Sequence, residues 1–148
     1  MQKFAARELR TRIVLAEADA LILLAAGVLA AWLRFSPEVF RVEITRILDH
    51  PGFIAYAALA QFGLATTFDL YRPASWRTQD YVLARMFALA VSLVIALALG
   101  LYIVEPWRFG RGLMAITLAI SLPLQILLRF AWLAVADLSG LTPQVHRG

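Results

Sequence analysis

The chain has 148 residues, of which 61% are hydrophobic and 16% are charged. A soluble domain is about 45–50% apolar and about 25% charged, so this composition, with a mean hydropathy of +0.74, excludes an ordinary soluble globule and indicates a membrane protein. No cysteine is present, which excludes disulfides, thiolate metal sites and a cysteine nucleophile. The net charge is +4, but without a basic helix or a base-stacking module the sequence predicts no nucleic-acid partner.

Four apolar segments approach the length needed to cross a bilayer core of about 30 Å, which takes roughly 20 helical residues. They lie at about residues 13–33, 52–70, 84–104 and 113–136. They predict an all-α membrane fold in which residues 1–148 form a single transmembrane domain, a bundle of four transmembrane helices. The first segment follows a basic leader, but Glu17, Asp19 and the lack of a small-residue cleavage site favour an uncleaved helix over a signal peptide.

The connection at residues 34–50 mixes apolar and charged side chains at a spacing typical of a short amphipathic helix. We expect that helix to lie at the membrane interface, between the first and second spans. Pro51 and Gly52 then mark the start of the second span.

The basic residues near the span ends predict the orientation, because cytoplasmic loops carry an excess of lysine and arginine. With the amino terminus in the cytoplasm, nine basic residues lie inside and five outside. The inner set is Lys3, Arg7, Arg10, Arg12, Arg72, Arg77, Arg85, Arg129 and Arg147, and the outer set is Arg34, Arg41, Arg46, Arg108 and Arg111. This bias favours N-in, and an even number of spans then places the carboxyl terminus inside as well.

Aromatic residues also cluster near the span ends, as an aromatic belt at the two membrane interfaces requires. The predicted belt consists of Trp32, Phe35, Trp76, Tyr81, Tyr102, Trp107, Phe109 and Trp132.

Small residues four positions apart predict places where helix backbones approach closely. The three pairs are Ala26 with Ala30, Ala84 with Ala88, and Ala96 with Gly100. The alternative is that alanine is simply frequent in a membrane protein of this kind.

The fourth span carries a polar stripe that ends in a charge. Thr117, Ser121, Gln125 and Arg129 recur every fourth residue and therefore share one helix face. Because lipid cannot satisfy these groups, the face is expected to point into the bundle or at another subunit. Pro123 lies within the stripe and predicts a kink. The stripe either joins helices by hydrogen bonds or lines a substrate path.

Glu17 and Asp19 lie near the same membrane face as Arg129. We therefore predict a structural ion pair in which Asp19 or Glu17 binds Arg129 and joins the first span to the fourth. A catalytic pair or a proton relay is the alternative, but one charged partner accounts for these acids without chemistry. His50 and His146 lie in a loop and in the tail, and no phosphate-binding glycine loop is present. The sequence thus predicts no catalytic, cofactor-binding or metal-ligating residue.

Several short motifs occur together in an order that is familiar. They are Asp19 at the start of the first span, Leu33-Arg34-Phe35 at its end, residues 68–71 before a basic loop, residues 81–90, Leu101-Tyr102, Pro106, Gly110-Arg111-Gly112 and residues 127–130. With these motifs the chain resembles, over nearly its whole length, the amino-terminal membrane domain of large bacterial polyprenyl-phosphate glycosyl-1-phosphate transferases, the exopolysaccharide sugar transferases.

The resemblance implies a membrane anchor and oligomerisation module in the bacterial inner membrane, with a homo-oligomer expected. In that family a Rossmann-like domain follows, and then a catalytic domain in which an Asp-Glu pair and magnesium move a sugar phosphate from a nucleotide sugar to undecaprenyl phosphate. Residues 143–148 look like the linker before the Rossmann-like domain, so the resemblance implies that the chain is a truncation. No family catalytic residue maps onto it, and no cofactor is expected in this chain.

Membrane lipids, undecaprenyl phosphate among them, are the partners that the resemblance implies. Four arginines at the predicted cytoplasmic ends are candidate contacts for anionic headgroups or for the acceptor phosphate. They are Arg12, Arg72, Arg77 and Arg85. The alternative is that these residues act only as topology signals.

Two other functions remain open at this point. Membrane-bound nucleotide-sugar 4,6-dehydratases share a similar leader, including a junction like Leu70-Tyr71-Arg72 with Trp76-Arg77, although the Gly-Arg-Gly turn favours the transferases. The chain could instead be a complete small protein, either an accessory subunit of a membrane complex or a small transporter. A transporter would need a water-accessible path past Gln61 and Gln125.

Overall fold

A computed structural model describes residues 2–73, 76, 78–104 and 111–138 of the chain. Within those ranges the secondary structure is entirely helical, with five α-helices and no strand. The helices are α1 (Gln2–Arg34), α2 (Pro37–Leu48), α3 (Pro51–Thr67), α4 (Gln79–Ile103) and α5 (Arg111–Leu138). The predicted all-α class is confirmed, and the short helix expected between the first two spans is α2.

Three of the helices, α1, α4 and α5, are long and apolar enough to cross a membrane. At 33 residues, α1 is about 50 Å long and begins eleven residues before the predicted span. Its first turns continue through the basic leader, where Arg12 pairs with Glu8 one turn earlier at 2.5 Å. With 17 residues, α3 is about 26 Å long, just under the bilayer core.

The end of α3 differs from the prediction, because the helix stops at Thr67 rather than continuing to residue 70. Asp69 adopts a left-handed conformation with φ of 57°. This reversal lets the Leu70 N–H donate to the Ala65 carbonyl at 2.9 Å and the Asp69 N–H donate to Thr66, the pattern of a Schellman cap. Aspartate accepts this conformation more readily than most residues, so the apolar run ends in a turn.

The start of α4 is also fixed locally. Thr78 is extended, and its hydroxyl oxygen accepts a hydrogen bond from the Tyr81 N–H at 3.1 Å. A threonine in this position satisfies one of the free N–H groups of the first turn. The helix therefore begins at Gln79, five residues before the predicted span.

The bundle pairs α1 with α5 most extensively, and packs α3 against α4. The turn between α3 and α4 closes one end of the bundle, where Leu70 and Trp76 pack with Leu15 and Met86. We call this the turn end. At the opposite end, α2 covers the junction of α1 and α5 with Phe40, Ile44 and Ile47 against Ala30 and Leu113. We call this the α2 end.

The predicted small-residue contacts are present in two of three places. Ala26 and Ala30 are buried on the packed side of α1. Gly100 lies under the ring of Tyr56, whose hydroxyl donates to the Ala96 carbonyl at 2.5 Å. The prediction is wrong for Ala84, which is exposed on the outer face of α4. The four-residue spacing is the same at all three places, so it does not by itself indicate which face another helix covers.

Replacing Gly100 with alanine should destabilise the bundle. A Cβ there would lie 2.5 Å from the Tyr56 ring, closer than carbon atoms can approach, so the ring must shift. Overpacking of this kind costs about 1–3 kcal/mol. We expect a lower melting temperature in detergent for Gly100→Ala. Gly63→Ala is the matched control, since a Cβ at Gly63 meets nothing within 4 Å; equal melting of the two variants would contradict this packing.

Candidate functional site

The most polar interior feature of the described structure is an ion pair between α1 and α5. Arg129 donates two hydrogen bonds to the Asp19 carboxylate, from Nη1 to Oδ1 at 3.0 Å and from Nη2 to Oδ2 at 2.7 Å. Both side chains are 0% exposed. This bidentate geometry is the strongest form of an arginine–carboxylate contact. Because the partners stand on antiparallel helices 110 residues apart in sequence, the pair fixes the register of α1 against α5.

Glu17, the other predicted partner of Arg129, lies on the exposed side of α1. Two residues along a helix correspond to a rotation of about 200°, so Glu17 and Asp19 cannot both face α5. The structure therefore selects Asp19 from the two acids that the charge pattern offered.

Two aromatic side chains from the α3–α4 turn flank the guanidinium. The Cζ atom of Arg129 lies 5.9 Å from the ring centroid of Tyr71 and 5.9 Å from that of Trp76, within cation–π distance. The Trp76 indole N–H donates to the Asp69 carbonyl at 3.3 Å, which ties it to the left-handed turn. Trp76 is 6% exposed, so its predicted place in an interfacial aromatic belt is wrong. Trp32 and Tyr102, by contrast, are well exposed.

A second polar contact lies next to the ion pair. Gln61 of α3 donates from Nε2 to Oε1 of Gln125 on α5 at 3.1 Å, and both side chains are buried. The backbone carbonyl of Gln125 accepts a further hydrogen bond from Arg129 Nη1 at 3.2 Å. The polar contacts therefore connect α1, α5 and α3, and we call Asp19, Gln61, Tyr71, Gln125 and Arg129 the polar cluster.

Several hydrogen-bonding atoms of the polar cluster make no hydrogen bond with the described residues. Four of its atoms are buried without a hydrogen-bond partner in that part of the chain: Gln61 Oε1, Gln125 Nε2, Tyr71 Oη and Arg129 Nε. Burial, and after it the charge of Asp19, raises the pKa of the Tyr71 hydroxyl above its ordinary value.

The rest of the predicted polar face points inward but serves its own helix. Ser121 is buried and Thr117 is half-buried. Their hydroxyls donate to carbonyls one turn earlier in α5, Thr117 to Leu113 at 2.8 Å and Ser121 to Leu118 at 3.5 Å, the latter a weak contact. α5 runs without a break through Pro123, which lies on its exposed side.

Three of the four arginines predicted to touch anionic lipid, Arg12, Arg72 and Arg85, lie around the turn end of the bundle. The Glu8 carboxylate stands between Arg12 at 2.5 Å and Arg72 at 3.4 Å. Arg85 lies over the ring of Tyr81, with its Cζ atom 5.0 Å from the centroid. Arg77 is outside the described residues. Lipid contact by any of the four remains a prediction.

Sequence reasoning missed the role of Tyr71 and Trp76 at the ion pair. The sequence places Tyr71 just before a basic loop and Trp76 in the interfacial aromatic belt, because aromatic residues near a span end are typical of the interface. The available signal was Asp69, an aspartate at the end of an apolar run, which predicts a tight turn back over the bundle. In the described ranges there is no group of three or more His, Cys, Asp or Glu side chains that could hold a metal ion.

Comparisons with protein-family models, with curated proteins and with solved structures find no match to this chain.

Replacing Asp19 with asparagine should destabilise the protein strongly. The change keeps the side-chain shape but leaves the Arg129 charge buried without a counter-ion, a loss of about 3–5 kcal/mol for a buried pair. Thermal unfolding in detergent should show a large drop for Asp19→Asn, and none for the exposed control Glu17→Gln. The double variant Asp19→Asn with Arg129→Gln removes both charges and should recover part of the loss. Equal stability of Asp19→Asn and Glu17→Gln would contradict a structural role for the ion pair.

Proposed function

We propose that this chain is a membrane anchor and oligomerisation module in the bacterial inner membrane, made of four crossing helices with both termini in the cytoplasm. In the fuller form that the sequence resemblance implies, it anchors a glycosyl-1-phosphate transferase. That enzyme would move a sugar phosphate from a nucleotide sugar to undecaprenyl phosphate during exopolysaccharide synthesis.

The observation that carries the anchor is the state of the polar cluster. Its charged members are fully enclosed and bind each other across α1 and α5. A pair held in this way sets how two long helices associate, which is what a scaffold needs. A transporter would instead need water beside Gln61 and Gln125, yet these side chains are buried against each other. The anchor is therefore favoured over the transporter.

Contacts along α3 support a fourth crossing. Near the start of α3, Tyr56 binds the Ala96 carbonyl close to the α2 end of α4. Farther along, Gln61 contacts Gln125, and Ala65 and Leu70 pack in the cluster at the turn end. α3 thus extends from one end of the bundle to the other. Its helical length of about 26 Å is close to the thickness of the bilayer core, and the turn at residues 68–70 adds to it.

The distribution of charge supports the orientation and the role. Six basic residues belong to the turn end, which we assign to the cytoplasm under the positive-inside rule. They are Lys3, Arg7, Arg10, Arg12, Arg72 and Arg85. An attached catalytic domain would then stand at the inner leaflet, beside the phosphate of a lipid acceptor. The magnesium that the resemblance implies belongs to that catalytic domain.

Cysteine labelling can test whether α1 and α3 both cross, because the natural chain has no cysteine to remove. Single cysteines at Gln2, Ser36 and Thr78 would be treated with a membrane-impermeant maleimide in spheroplasts. We expect labelling at position 36 alone, with positions 2 and 78 reacting only after lysis. Labelling at position 78 in intact spheroplasts would mean that α3 does not cross, because residues 36 and 78 would then share one side.

The anchoring role is tested in the whole gene product. Exchanging residues 1–148 for an unrelated four-helix anchor of the same topology should keep the protein in the membrane and preserve sugar-phosphate transfer. Deleting the segment without replacement should release the protein and abolish transfer to membrane lipid. The proposal fails if the reading frame after residue 148 encodes no catalytic domain, or if the purified chain alone turns over a nucleotide sugar.

A further inference from the structure

Glu17 is an ionisable residue on the outside of the bundle. It lies within the first apolar segment, on the exposed side of α1, and makes no ion pair or hydrogen bond with the described residues. The nearby acid Asp19 is enclosed by its contact with Arg129. Ionisable side chains within a membrane span almost always face other protein or a water-filled cavity, because lipid chains offer them no partner. The outer side of α1 therefore calls for a protein partner at the depth of Glu17.

The residues around Glu17 form a regular seam along α1. Val14, Leu21 and Val28 recur at every seventh position, while Glu17 and Leu24 each stand three positions after one of them. The four apolar members are 47–66% exposed. This is the heptad pattern of a left-handed coiled coil, with the first three residues at a positions and the other two at d positions. We call these five residues the α1 seam.

The α1 seam faces away from the rest of the bundle. On a helix of 3.6 residues per turn, its members centre on the side opposite to Leu15, Asp19 and Ala26, which are buried. From residue 14 to residue 28 the seam is about 21 Å long. A second helix can therefore pack along most of a membrane span there without displacing α3 or α5.

A second copy of this chain fits the seam in orientation and in chemistry. Copies with the same membrane topology hold their α1 helices parallel, so a two-fold axis brings each seam residue opposite its equivalent at equal depth. Valine at a positions with leucine at a d position favours two parallel helices. Two carboxyl groups that meet at one site retain a proton between them, because two full negative charges repel there. The paired Glu17 side chains are then donor and acceptor to each other.

From this pattern we infer that the α1 seam is the contact between two copies of this chain, and that their Glu17 side chains hydrogen-bond across it. The apolar seam residues of the two helices interdigitate on either side of that bond. A single polar residue in such a seam fixes the register and the number of helices, and Glu17 has that part here. The inference deepens the oligomerisation role proposed above and rests on it, but it does not depend on sugar transfer.

Oxidative cross-linking in native membranes tests the seam, because the chain has no cysteine of its own. Leu21→Cys and Val28→Cys should each give disulfide-linked dimers, since equivalent seam positions bring two Cβ atoms close together. Leu29→Cys, also exposed but about 100° farther round α1, is the matched control and should stay monomeric. Phe87→Cys reports on the outer face of α4. Cross-linking at position 87 but not at 21 or 28 would overturn the seam and leave oligomerisation standing.

The part of Glu17 is measured by the dimer dissociation constant in lipid vesicles, from energy transfer between labelled copies. Glu17→Gln keeps a donor and an acceptor and should dimerise like the natural chain. Glu17→Ala removes both and should raise the dissociation constant about five- to thirtyfold, as expected for the loss of an interhelical hydrogen bond. Leu29→Ala is the control for truncation outside the seam and should change nothing.

An unchanged or lower dissociation constant for Glu17→Ala would overturn the bond between the two glutamates. A natural chain that stays monomeric in vesicles and gives no cross-link at any of the four positions would remove the oligomerisation role together with the seam. The anchor would still be decided separately, by the cysteine-labelling and domain-exchange experiments above.

Discussion

The contact between Asp19 and Arg129 is the constraint on which the arrangement of this bundle depends. A guanidinium enclosed by apolar helices cannot be left without a counter-ion, and the bidentate bond admits only one register of α1 against α5. Once that register is set, Gln125 stands opposite Gln61, and α3 is drawn to the same side of α5. The ion pair and the amide contact therefore fix the relative positions of α1, α3 and α5 with only a few polar side chains.

The turn between α3 and α4 completes this polar interior. The Schellman cap at Asp69 reverses the chain, and Tyr71 and Trp76 then lie on either side of the buried guanidinium. Their rings exclude solvent and contribute quadrupole attraction to the same charge. One left-handed residue in a short connection thus determines both where α3 ends and how Arg129 is covered.

The two ends of the bundle differ in a way that bears on function. The turn end is basic and linked to the polar cluster. The α2 end is looser, because α2 lies across α1 and α5 and leaves an apolar cavity beside α3. The buried polar cluster and the apolar cavity are therefore separated along the bundle.

Hydropathy and a 3.6-residue period act locally, so they predict the helical class, the apolar segments, the amphipathic α2 and the inward polar face of α5. The sequence also narrowed the partner of Arg129 to two acids. Only the tertiary structure shows that Asp19 is the partner and that Gln61 contacts Gln125. It also places Tyr71 and Trp76 beside the guanidinium. Finally, it shows that Ala84 is exposed whereas Gly100 contacts the Tyr56 ring. Those outcomes depend on which helix faces meet, and the meeting of two faces is set by contacts between residues far apart in sequence, which no local pattern encodes.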